Sequence, residues 1–230
     1  MSISTNLDEI QNNIKNIKDE LSINRDITLI AVSKTVDSQR VLEAYNHGQK
    51  EFGENKVQEL VKKYEEINNS DVIFHMIGHL QTNKVKYLVN KVKLIQSLDR
   101  LSLLKELEKR GKNNNYIFNC LIELNLAKEE SKTGLHEEDL LELIEKIEEC
   151  EFVKVKGLMT VAPYYEDLEK VRVYFRKLKN IYDDLANKNF KNINMEYLSM
   201  GMSHDYKVAI EEGSNMIRVG TSIFGERNYN

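Results

Sequence analysis

"LIAVSKTVDSQRVLEAYNHGQKEFGENKVQEL", Leu29 to Leu60, is the stretch whose reading decides the fold. It opens inside a run of β-formers, Ile27 to Val32, which ends on Ser33 and Lys34. Val41, Leu42 and Tyr45 then fall at helical spacing, and Gly48 follows as a residue suited to close a helix. "EFGEN" reads as a second short strand, with Val57, Leu60, Val61, Tyr64 and Ile67 on one face of the helix behind it. The stretch is strand, helix, strand, helix.

The same rhythm runs outward in both directions. Upstream, Leu7, Ile10, Ile14, Ile17 and Leu21 recur at steps of three and four, the face of an amphipathic helix. Downstream, "VIFHMIGHL", "KLIQSLD", "YIFNCLIELNL", "FVKVKGLMTVA", "MEYLSMG" and "NMIRVGTSIFG" read as six more strands. Between them Val85, Leu88, Val89 and Val92 mark one helix, and Leu101, Leu104 and Leu107 another that Gly111 closes. Leu140, Leu143, Ile144 and Ile147 mark a third, and a long one runs from about Asp167 to Leu185. Eight strands alternating with helices predict an α/β fold of parallel strands and right-handed crossovers, a (β/α)8 TIM barrel with an additional N-terminal helix. The rival, an open doubly wound sheet, lacks its GxGxxG after the first strand. Little chain follows the eighth strand, so the N-terminal helix is expected to cover it. Pro163 is the only proline and no Gly/Ser/Pro-rich linker divides the chain, which predicts one domain over residues 1–230.

The 230 residues are 41% hydrophobic and 30% charged, a globular profile. Lys+Arg number 33 against 37 Asp+Glu, a net charge of −4, which argues against a nucleic-acid partner held by phosphate contacts. Cys120 and Cys150 form no CxxC pair and read as reduced thiols of a cytoplasmic protein. The N-terminus is polar and acidic, unlike a signal peptide, and no stretch approaches the ~18 apolar residues of a membrane helix.

Barrel enzymes work at the C-terminal ends of their strands, where Lys34, Asn55, His79, Asn125, Met159, Ser199 and Thr221 fall. Period two sets Thr28, Ile30, Val32 and Lys34 on one face of the first strand, so the lysine is expected in apolar surroundings that lower its pKa. A neutral amine there can condense with an aldehyde; a solvated strand-end lysine is the plain alternative. "LSMGMSHDYKVAIEEG" gives a small-residue turn at Gly201 and Ser203, then a helix from about His204 or Asp205. "IRVGTSIFG" offers Gly220 and Thr221 after strand eight. Loops after strands seven and eight are where such barrels bind phosphate, although a helix cap and a turn glycine would read the same way singly. Beside a lysine on strand one, the set points to an aldehyde that carries a phosphate.

His75 and His79 share a strand face with no acidic residue between them, so the HExxH zinc reading fails. His75 is expected in the core or lumen and His79 at a strand end near the mouth. Thr82 or Asn83 is expected to cap the next helix. Lys132, after strand five, reads as solvated, with a second transient aldehyde contact as its alternative.

"AVSKT", "FGENKVQEL", "FHMIGHLQTNK", "IQSLDR", "SKTGL", "VKGLMTV", "LSMGMSHDYKVAI" and "GSNMIRVGTSIFGERNY" resemble, in order and spacing, the pyridoxal phosphate homeostasis proteins (the YggS/PROSC family). That resemblance implies a barrel similar to the N-terminal domain of alanine racemase, with pyridoxal 5'-phosphate as cofactor. It implies that Lys34 holds the cofactor as a Schiff base, that Ser203, Gly220 and Thr221 bind its phosphate with Ser199 close by, and that Arg218 faces the pyridine nitrogen. Asn55 would lie near the ring, and Met200 and Met202 would flank the phosphate turn. A guanidinium accepts no proton, so Arg218 would weaken the ring as an electron sink; paired with a surface carboxylate it would be an ordinary strand-end arginine.

Two functions compete on these residues. The first is a carrier that holds pyridoxal phosphate for intracellular vitamin B6 homeostasis, with PLP-dependent apo-enzymes as recipients, acting as a monomer or weak dimer. The second is an amino-acid racemase or other weak enzyme on the same barrel. Racemases resembling it take one base from the lysine and the other from a tyrosine of a partner's β-domain; "TVDSQ" after Lys34 lacks their tyrosine and the chain ends at the barrel, so strong catalysis is not expected. A Schiff-base aldolase is a third reading, for which no strand-end acid/base partner stands out.

Overall fold

In the computed structural model, which describes residues 2–129 and 133–225, the chain forms a closed barrel of eight parallel strands in sequential order. The strands are β1 (Thr28–Val32), β2 (Glu51–Glu54), β3 (Ile73–Met76), β4 (Leu94–Leu98), β5 (Phe118–Glu123), β6 (Val153–Met159), β7 (Ile193–Ser199) and β8 (Met216–Val219). β8 pairs with β1, Ala31 against Val219, which closes the barrel. The helices are α1 (Ile3–Glu20), α2 (Ser38–Asn46), α3 (Val57–Ile67), α4 (Leu101–Asn114), α5 (Leu140–Glu148), α6 (Leu168–Ala186), α7 (Tyr206–Glu211) and α8 (Thr221–Phe224).

Alternation along the strands sorts two cores. Ile30, Leu94, Leu121, Met159 and Met216, one each from five strands, meet in a small cluster inside the barrel. Outward residues such as Ala31, Phe52, Cys120 and Val155 join the large core between strands and helices. Both cysteines are free and buried.

α1 starts at Ser2, whose hydroxyl accepts the Thr5 N–H at 3.2 Å, and it buries Ile3, Leu7, Ile10, Ile14 and Ile17. It packs beside α8, α2 and α7, and Asn6 donates to the Ile223 carbonyl at 2.9 Å. α1 thus fills the outer layer next to β8, as its apolar stripe requires. Leu21 departs from that stripe: the helix ends one residue earlier and Leu21 is 46% exposed. Gly48 closes α2 at φ +97°.

Three elements differ from the sequence reading. The segment after β3 is a 3₁₀ helix, Thr82–Tyr87, with Val85 and Leu88 buried three apart, the spacing at which 3₁₀ side chains align. Gln81 precedes it and neither Thr82 nor Asn83 supplies a cap, so that expectation is corrected. Gly111 does not end α4; the helix runs to Asn114 and is closed by Asn115 in left-handed backbone. Gly111 is there because Phe152 presses against it: an added Cβ would lie 2.4 Å from the Phe152 Cβ. Finally, a single-turn helix, α8, does follow β8.

Candidate functional site

Lys34 stands two residues beyond β1, half-buried, in a tight turn with Thr35. The pleat that puts Ile30 inside the barrel has ended at Val32, so the turn sets the lysine's position and alternation does not. Thr35 holds φ +65°, a left-handed conformation that branched side chains rarely adopt.

The loops after β7 and β8 converge on this strand. Gly220 lies so close to β1 that a Cβ would sit 3.1 Å from the Val32 carbonyl oxygen and 3.2 Å from its Cβ. The Ser203 hydroxyl accepts the Gly220 N–H at 3.4 Å and joins the two loops. Gly201 turns at φ +95° against Ala209 and Tyr206, where a Cβ would approach within 2.6 Å of another side chain. Thr221 and Ser222, the exposed first residues of α8, directly follow Gly220 at the end of β8. Met202 is 38% exposed and its N–H donates to Asp205 Oδ1 at 2.6 Å, whereas Met200 is buried in the outer core and belongs to packing. Asn55 is half-buried one residue past β2, with the Gly78 backbone against it.

Arg218 is 4% exposed, inside the barrel. It donates to Ser199 Oγ at 2.6 Å and to the Thr160 carbonyl at 2.8 Å. It is therefore no strand-end arginine on a surface carboxylate. Burial pushes its pKa down to about 10, against the charges of Asp205 and Glu123, so it remains a cation at neutral pH. Ser199 is fully buried and already engaged: it donates to Gln96 Oε1 at 2.7 Å while accepting from Arg218. Gln96 Nε2 lies 3.2 Å from His75 Nδ1, and His75 Nε2 lies 2.8 Å from Glu51, which also takes Lys93 at 2.7 Å. A polar chain thus runs through a lumen that aliphatic side chains fill in most such barrels. Gln96 donates to Nδ1, so the ring proton sits on Nε2 and points at the carboxylate. Burial lowers the His75 pKa and keeps the ring neutral.

At the end of β5, Glu123 is 4% exposed, accepts the Thr133 hydroxyl at 2.9 Å, and leaves Oε2 buried without a partner among the described residues. Burial raises its pKa to about 7; Asp99 adds to the rise, while Thr133, Arg218 and Arg100 oppose it. His79 is exposed past β3 and meets Asp99 at 3.2 Å. Asn125 lies just beyond β5 and donates to the Glu129 carbonyl at 2.9 Å. Lys132 lies outside the described residues. Sequence reasoning missed Gln96, Thr160, Glu123 and Asp205. Gln96 alone left a signal, an uncharged polar residue midway along an apolar strand.

The geometry suits a phosphorylated aldehyde. An amine, a serine–glycine turn and a buried guanidinium adjoin one another around strands one, seven and eight. The two glycines let these loops approach closely, Gly201 against Tyr206 and Ala209 and Gly220 against Val32.

The chain matches the alanine racemase N-terminal domain model over residues 5–228. It is 52% identical to a pyridoxal phosphate homeostasis protein of Aquifex aeolicus over 201 residues, 87% of each chain. A protein of the same description from Escherichia coli is 33% identical, with 97% of this chain and 99% of that one aligned. Among solved structures, PipY of Synechococcus elongatus with PLP bound superposes at TM-score 0.85 and 28% identity, covering 97% of this chain and all, 100%, of that one. An alanine racemase of Clostridium difficile shares the fold at TM-score 0.72 and 16% identity, with 60% of its length covered. The chain belongs to the alanine racemase N-terminal domain family and, within it, to the pyridoxal phosphate homeostasis proteins.

Proposed function

We propose that this chain binds pyridoxal 5'-phosphate at the mouth of its barrel, holds the aldehyde on Lys34 and serves the intracellular balance of that cofactor. The observation that carries this reading is the close approach of Gly220 to Val32, which brings a phosphate-type turn against the strand that presents the lysine. Its relatives' descriptions and the PLP-bound PipY structure support it. Pyridoxal phosphate supplies an aldehyde that an amine captures reversibly, with visible colour.

Each residue of this chain then has a task. Lys34 presents the amine. Ser203, Gly220 and Thr221 hold the phosphate by a hydroxyl and backbone N–H groups. Arg218 sits below as a donor that cannot take up a proton, so a ring nitrogen facing it stays unprotonated. Ser199 acts on the cofactor through Arg218, since its hydroxyl is occupied on both sides. Asn55 and Met202 border the ring and the phosphate turn. Recipient apo-enzymes, a cytoplasmic location and a monomeric or weakly dimeric state belong to the same proposal. Among the described residues no helix is long and apolar enough to cross a membrane.

Equilibrium titration by protein fluorescence tests the assignment. Pyridoxal phosphate is expected to bind at least tenfold more tightly than pyridoxal, and Ser203→Ala with Thr221→Ala is expected to shrink that ratio. Equal affinity for the two aldehydes in the unmodified protein would refute the phosphate site.

A second reading, a weak amino-acid enzyme, draws on Glu123. Its carboxyl titrates near neutrality at a strand end, the acid/base group that sequence reading did not find. Racemisation of L-alanine that is lost in Glu123→Gln would establish it.

A further inference from the structure

The turn that carries Lys34 is clamped from outside the barrel by a buried cluster on β2 and α3. Lys63 of α3, 5% exposed, donates to the Ser33 carbonyl at 2.6 Å and to Glu54 Oε1 at 2.6 Å. The Ser33 hydroxyl donates to the same Glu54 oxygen at 2.5 Å, and Ser33 and Glu54 are fully buried. One turn earlier on α3, Glu59 accepts the Thr35 N–H at 2.9 Å. The residues on both sides of Lys34 are thus fastened to one helix, by Lys63 on the N-terminal side and Glu59 on the C-terminal side.

Three facts separate this cluster from ordinary packing. It holds Thr35 in left-handed backbone, a strained state that persists only where surroundings over-determine it. It leaves Glu54 Oε2 buried with no partner among the described residues, so as an ion pair it is incomplete and a poor source of stability. A cleft of about 240 Å³ lined by Thr35, Val36, Asp37, Glu59, Lys62 and Lys63 adjoins the turn, so the clamp holds it beside open space.

We infer that Lys63 and Glu54, with Glu59, are positioning residues that fix the Lys34 turn for capture of an aldehyde carrying a phosphate. The inference rests on the proposed function above. Lys63 sets the Ser33 carbonyl, Glu54 holds the Lys63 ammonium beneath it, and Glu59 sets the Thr35 amide. The backbone of Lys34, between these two contacts, is held in one place, which fixes the base of the lysine side chain.

The test separates positioning from stability. Lys63→Met leaves Glu54 buried and unpaired, so it is expected to lower both the melting temperature and the affinity for pyridoxal phosphate. Lys63→Met with Glu54→Leu replaces the pair by apolar groups. Its melting temperature is expected to return to within a few degrees of the unmodified protein, with affinity still reduced tenfold or more. Glu59→Ala removes the Thr35 amide's partner together with an exposed ion pair to Lys56; it is expected to weaken binding several-fold at unchanged melting temperature, with Glu59→Gln, which keeps an acceptor but no charge, restoring it. Hydrogen exchange at the Thr35 and Val36 amides is expected to quicken in Glu59→Ala and in the double variant. A double variant that regains stability and affinity together, or a Glu59→Ala variant with unchanged affinity and exchange, overturns the inference. If the unmodified protein binds no pyridoxal phosphate, the proposed function fails. The clamp is then judged by exchange alone, and unchanged protection overturns it too.

Discussion

Arg218, Ser199, Gln96 and His75 form a chain in which each polar group has one partner above and one below. Gln96 is the middle link, accepting from Ser199 and donating to His75. Gln96→Leu would strand Ser199 on one side and His75 Nδ1 on the other, and a buried group left unsatisfied costs about 1–3 kcal/mol. We expect a loss of about 2–4 kcal/mol in urea unfolding, together with weaker cofactor binding because Arg218 loses its fixed orientation. Glu123 offers a second test at this scale. Its folded pKa, about 7, lies above the ordinary carboxyl value of 4.5, so the folded state holds its proton more tightly than the unfolded state does. The penalty for ionising it is absent below about pH 4.5, grows as pH rises through 7 and is complete above that. Glu123→Gln mimics the protonated acid, so it should raise the melting temperature at pH 8.5 and leave it unchanged at pH 4.5. Sequence reading singled out Lys34, Ser203 and Gly220 from short local patterns, and Arg218 and Ser199 through the family resemblance. It missed Thr160, to which Arg218 donates, and Gln96, to which Ser199 donates, because these come from distant parts of the chain: Gln96 and Ser199 are 103 residues apart. Nothing local records such a meeting.

The elements themselves were largely legible, since period two and period 3.6 alternate with few interruptions. Ends and irregular pieces were not. Gly111 looked like a helix stop because glycine usually is one; the helix tolerates it because Phe152 occupies the space where a side chain would be. Two effects therefore compete in Gly111→Ala. Helix propensity favours alanine by about 1 kcal/mol, but a Cβ 2.4 Å from the Phe152 Cβ forces α4 off β6. The clash is the larger effect, and the variant should melt below the unmodified protein. The 3₁₀ segment escaped notice because Val85 and Leu88 fit both a 3₁₀ and an α-helical spacing. α1 was legible from its stripe alone. Leu7→Ala should cost about 2–5 kcal/mol in equilibrium unfolding, because Leu7 is fully buried in the stripe that α1 turns to the core.

At the scale of the molecule, closure of β8 onto β1 is what makes a site from distant parts of the chain. It sets Gly220 against Val32 and the Ser203 loop beside both. Closure also seals the lumen around Glu51. Its folded pKa is brought down to about 2: desolvation opposes the shift, but the His75 and Lys93 hydrogen bonds outweigh it. The depressed value means that its contribution to stability is present above about pH 4.5 and is lost as pH falls toward 2. The measurement closest to the central claim is chemical trapping. The purified protein, loaded with pyridoxal phosphate, is reduced with borohydride, digested and mapped by mass. One phosphopyridoxyl group on the peptide that contains Lys34, absent when Lys34→Ala is treated alike, is the predicted result. A label spread over surface lysines, or an equal yield from Lys34→Ala, would contradict the account.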